Sequence, residues 1–72
     1  MITLETKYGT FTTDAPKGAQ FQIGDRVHSR GMIGSRYDRV GQYYVRKSPE
    51  SGFCYVLQGG GMFSAAELTP AR

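Results

Sequence analysis

Glycine and proline interrupt this chain so often that no helix-length apolar periodicity survives. Ten glycines and three prolines are spread over 72 residues, and few segments place apolar residues at i, i+3 and i+4. What remains are short β-branched and aromatic runs between clusters of Gly, Asp and Ser, the pattern of a small all-β fold. The length suits one domain. A chain this short buries only about 60% of the surface that its unfolded form exposes, so its core is small. Such domains often rely on disulfides, metals or association for reinforcement. A single cysteine, Cys54, excludes an internal disulfide, and His28 with Cys54 is too small a ligand set for structural zinc. Association is the reinforcement left, so a homo-oligomer is expected.

The segment Phe21 to Gly31, FQIGDRVHSRG, organises the rest. Gly24-Asp25 gives a tight entry, Asp25 caps its own turn by accepting local N–H bonds, and Val27 points inward on a first strand. Arg30–Asp38, with two glycines, reads as a long loop. Arg39–Lys47, RVGQYYVRK, is the strongest strand pattern. Ser48–Gly52 reads as a turn, Phe53–Gln58 as the next strand, and Gly59–Gly61 as a tight connection. A short strand follows at Met62–Ser64, then one 3-10 turn at Ala65–Leu68. The last residues form a final short strand, in which Pro70 must face an edge. Residues 1–20 read as an N-terminal arm or hairpin, turning near Tyr8-Gly9, and residues 21–72 as the domain proper. A strand, a long loop, three closely spaced strands and a 3-10 turn before a last strand make the layout of a single small SH3-like β-barrel. Phe21 would plug one end of it.

The motif Phe21-x-x-Gly24-Asp25-Arg26-Val27 resembles the first strand of the plasmid-borne type II dihydrofolate reductases. Later segments are similar as well: VGQYYV, SGFCYVL and MFSAAEL sit where that family has its own aromatic strands and its Ala-Ala-Leu turn. The resemblance implies an SH3-like barrel, a homotetramer, and a central pore that binds folate and NADPH. It also implies an active surface on the strand that reads here Gly60, Gly61, Met62 and Phe63, with Ser29 at the position of the family's lysine. The family's Gln, Tyr and Lys are not retained there. Arg30, one residue on, is the nearest replacement for the lost charge. NADPH is therefore a cofactor only under a reductase reading, and no catalytic residue is assigned.

Net charge is +3. This mildly basic balance permits contact with nucleic acid or another polyanion; it is also what keeps a small domain soluble. Arg30, Arg36, Arg39 and the pair Arg46-Lys47 interleave with Tyr37, Tyr43 and Tyr44, the mixture that grips phosphates and stacks bases. The plainer reading pairs Arg36 with Asp38 and places the tyrosines in a core or interface. On FCYVL, Phe53, Tyr55 and Leu57 share one face and Cys54 and Val56 the other. Two apolar faces mean that a second copy, or the N-terminal arm, covers one of them. The carboxylates are scattered, and no pair of them suggests acid–base catalysis.

The expected function is that of a non-enzymatic, small oligomeric binding module whose partner is a protein or a nucleic acid. Its candidate binding residues are Arg30, Arg36, Tyr37, Arg39, Tyr43, Tyr44, Met62 and Phe63. The alternatives are a nucleic-acid-binding barrel and a diverged NADPH-dependent reductase. No metal and no membrane span are expected. With neither a signal-peptide pattern nor a long apolar run, the expected compartment is the cytoplasm.

Overall fold

The computed structural model describes residues 2–31, 34–48 and 52–71. Seven strands form one antiparallel sheet, and no α-helix is present among these residues. The strands are β1 (Thr3–Thr6), β2 (Gly9–Thr12), β3 (Arg26–Gly31), β4 (Gly34–Arg46), β5 (Phe53–Leu57), β6 (Met62–Phe63) and β7 (Leu68–Pro70). A 3-10 turn at Ala65–Glu67 precedes β7, and Ser64 and Glu67 close a capping box around it. The expectation of an all-β chain with a 3-10 turn near its C-terminus therefore holds.

Strand β4 links the parts. Its first half pairs with β3, from Arg26↔Arg39 to Gly31↔Gly34. Its second half lies between β2 and β5. The change of partner coincides with a bulge between Val40 and Gln42, the usual means of bending one strand between two sheet directions. β3 also pairs with β7, and β5 with β6. Among the described residues no ladder joins β6 to β7.

One expectation is corrected. Arg30–Asp38 is not a long loop: Arg30 and Gly31 end β3, and Gly34–Asp38 begin β4. Its side chains are too polar and its glycines too frequent for strand propensity to show. The backbone is held there by the ladder to β3, which outweighs a propensity scale spanning only about 1 kcal/mol. The connection at positions 32 and 33 lies outside the described residues, as does most of the turn expected at Ser48–Gly52.

The core consists of Phe21, Val27, Val40, Tyr43, Tyr55, Leu57 and Leu68. Val27 is fully buried, and Phe21 sits against Tyr55 edge-on at 5.2 Å. Two tyrosines stand in this core because their hydroxyls have work there. Tyr43 donates to the Phe21 carbonyl at 2.6 Å, and the Tyr55 hydroxyl accepts from the Gln20 amide at 2.7 Å. The segment entering the domain is thus bonded across the core as well as packed on it. The entry turn matches expectation: Asp25 accepts from the Gln22 amide at 2.9 Å.

The N-terminal segment is a hairpin laid along β4. Thr6 closes its two-residue turn, donating from Oγ1 to the Gly9 carbonyl at 2.7 Å. Gly9 must be glycine, because a Cβ there would lie 2.5 Å from the Val45 carbonyl and 2.8 Å from the Tyr44 ring. Phe11 packs on Tyr44 with ring centroids 4.5 Å apart. Tyr44 and Cys54, on the face of the sheet away from the core, are buried. The chain's own hairpin therefore meets part of the second apolar face.

Burial, followed by the nearby Tyr55 and Asp25, raises the Tyr43 pKa above the usual 10.0. The native state thus retains a proton that the unfolded chain releases. Stability from this group is complete below pH 10 and falls as pH rises through the raised native value. Alkaline denaturation followed by tyrosinate absorbance should show one tyrosine ionising only with unfolding. Tyr43→Phe should remove that late step and cost about 1–2 kcal/mol at neutral pH through the orphaned Phe21 carbonyl. Unchanged alkaline behaviour in the variant would contradict this.

Candidate nucleic-acid interface

Alternation along β3 and β4 decides which side chains share a surface. Val27 and Ser29 face inward, so Arg26, His28 and Arg30 face outward. Cross-strand partners share a face, and the outward row on β4 is Arg39, Tyr37 and Ser35, opposite those three residues. None of these six positions is a carboxylate. Among the described residues, the ion pair present is Arg36–Asp38, and it engages none of the six.

Tyr37 is the centre of this face. It is 63% exposed. The Arg26 guanidinium lies over its ring at 5.1 Å from the centroid, and the His28 ring is tilted against it at 4.8 Å. Arg39 donates to the Gly24 carbonyl at 2.8 Å, which fixes its stem across the entry turn while further N–H donors remain. Arg30 is exposed. The result is a shallow patch of three guanidiniums, an imidazole and an exposed phenol ring. Such a patch can hold phosphates through charge and bases through stacking.

The expected site residues distribute unevenly. Arg30, Tyr37 and Arg39 share this face. Arg36 does not: it points to the other side of β4, donates to the Gly60 carbonyl and pairs with Asp38 at 3.4 Å. Asp38 in turn accepts from the Gly59 amide at 2.9 Å and the Arg39 amide at 2.7 Å. These two side chains pin the Gly59–Gly61 turn to β4. Tyr43 lies in the core and Tyr44 beneath Phe11, so neither belongs to the patch. Met62 is exposed on β6, while Phe63 packs against the core. Ser29 is buried and donates to the Arg36 carbonyl at 3.4 Å.

Sequence reasoning missed Arg26 and His28. The signal was available: with Val27 inward, alternate positions on either side must face outward. Cys54 is held by Arg46, whose guanidinium lies 3.3 Å from its sulfur, whereas His28 is engaged with Tyr37. Among the described residues no three His, Cys, Asp or Glu gather as a metal site, and no helix is long and apolar enough to cross a membrane. Compared with protein families, curated proteins and solved structures, the chain matches none of them.

A Cβ on Gly59 would lie 2.6 Å from Asp38 Oδ2. Gly59→Ala should therefore destabilise the fold by about 1–3 kcal/mol. In an Asp38→Ala background the same change should cost less, with a coupling of about 0.5–3 kcal/mol in a double-mutant cycle. Strict additivity in denaturant unfolding would show that the carboxylate does not hold the turn.

Proposed function

We propose that the chain is a non-enzymatic binding module for single-stranded nucleic acid, using the outer face of β3 and the first half of β4. The observation that carries this reading is the exposed Tyr37 ring set among Arg26, Arg30 and Arg39, on a surface without a facing carboxylate. Phosphates bind to unneutralised guanidiniums, and a single strand offers unpaired bases to an exposed ring. A duplex hides those ring faces, which is why a single strand is preferred. We read the scaffold as an SH3-like barrel, a reading that the pairing of β3 with β4 and β7, of β4 with β5 and of β5 with β6 supports. The resemblance to type II dihydrofolate reductases supports this scaffold reading. It does not supply the pore chemistry, because Gly60, Gly61 and Ser29 stand at the family's working positions.

Fluorescence titration with short single-stranded oligonucleotides over a salt series tests the proposal. Binding should weaken steeply with salt, with a slope of log K against log salt near about −2 for three phosphate contacts. Arg26→Ala should reduce the slope by about 0.7. Tyr37→Ala should leave the slope unchanged and weaken binding by about 1–3 kcal/mol, the worth of one stacked base. Arg36→Ala serves as the control and should leave the slope unchanged. Absent binding, or binding indifferent to salt and to Tyr37, would overturn the reading.

A further inference from the structure

The hairpin leaves an open sheet edge. The Thr13 amide donates to the Ile2 carbonyl at 2.9 Å, so in the register of β1 on β2 the bonded pairs fall at Ile2, Leu4 and Thr6. The backbone N–H and C=O groups of Thr3 and Glu5 therefore point away from β2. Among the described residues no strand pairs with that side of β1. Leu4 lies on the same face of the sheet as Phe11 and Tyr44 and is 60% exposed, with Ile2 beside it at 63%. An edge that combines free backbone groups with exposed apolar side chains is a template for another strand.

We propose that this edge docks a second copy of the same chain, β1 against β1 in antiparallel, two-fold fashion. A two-fold pairing must match outward-facing residues with outward-facing residues, which leaves few registers. Pairing Thr3 with Thr3 leaves the outward groups of Glu5 with no partner within β1 (Thr3–Thr6) of the other copy. Pairing Glu5 with Glu5 sets like charges directly opposite, which is destabilising. Pairing Thr3 of each copy with Glu5 of the other satisfies all the outward backbone groups of both residues. It also places Leu4 opposite Leu4 on the axis as a non-bonded pair, where side chains are closest. Phe11 from each copy then flanks the two leucines on one continuous face.

Charge favours a second copy at this edge over other parts of the surface. The strand and its turn carry one carboxylate and one ammonium, Glu5 and Lys7, whereas the β3–β4 face carries three guanidiniums that repel their like. The hairpin pairs with the far half of β4, from Tyr43 to Arg46, so docking through β1 leaves the basic face open in each copy. This inference is independent of the nucleic-acid reading, and its test does not involve Arg26, Tyr37 or Arg39.

Sedimentation of the full chain over a concentration series tests the edge. The expected result is a reversible dimer at twice the mass of one chain. Thr3→Pro deletes an outward N–H and leaves the ladder to β2 intact, a position where proline is tolerated. It should return the mass to that of one chain while the circular dichroism spectrum stays unchanged. In a Cys54→Ser background, Leu4→Cys should form a disulfide-linked dimer under mild oxidation, and Thr3→Cys should not. A monomer at every concentration, which would leave the edge to a different protein, overturns the proposal. So does a dimer that Thr3→Pro leaves intact, or crosslinking through both cysteines or neither.

Discussion

The register of β3 on β4 is the constraint on which the rest of this structure depends. β4 is one strand serving two pairings, and the buried row of Val27, Val40 and Tyr43 fixes which of its residues turn inward. A slip of one residue would send that row to solvent and bring the charged row into the core. Burying even one unpaired guanidinium costs several kcal/mol, while exposing a fully buried valine forfeits about 1.5–3 kcal/mol. The two penalties act in the same direction. The pairing of Arg26 with Arg39 and of His28 with Tyr37 follows from them, and the basic face is the outer side of a decision made by the core.

Polar groups are handled by the same economy. The core is small, and its two largest side chains are tyrosines whose hydroxyls each bond to the backbone of residues 20–21. These bonds hold the entry segment where a longer chain would use more apolar surface. Beyond the end of β5, Asp38 and Arg36 gather the glycine turn, so cations and carboxylates of similar appearance in sequence have different duties. Arg36 is spent on structure. Arg26, Arg30 and Arg39 stand on the outer face, outside that ion pair.

Much of this was legible in the chain itself. Gly24-Asp25 marked the entry turn, Val27 the inward position, and Phe53, Tyr55 and Leu57 the core face of β5. Each rests on local chemistry that needs no knowledge of the partner strand. The Arg30–Asp38 stretch was not legible, because its strand state comes from the backbone ladder to β3 and not from its own side chains. Tyr43 and Tyr44 were indistinguishable from binding residues until their neighbours were known: one reaches the Phe21 carbonyl, the other lies over Gly9. Arg26 and His28 were overlooked although period-two alternation about Val27 placed them on the outer face.

The pairing of β3 with β4 can be read directly by nuclear magnetic resonance. Residues opposite one another at non-bonded positions of an antiparallel ladder bring their backbones closest, so their α-protons give strong cross-strand Overhauser contacts. The account predicts such contacts between Arg26 and Arg39 and between His28 and Tyr37. Contacts displaced by one residue, joining Val27 to Tyr37 or His28 to Asp38, would place Arg26 and Arg30 on a different face from Tyr37 and contradict it.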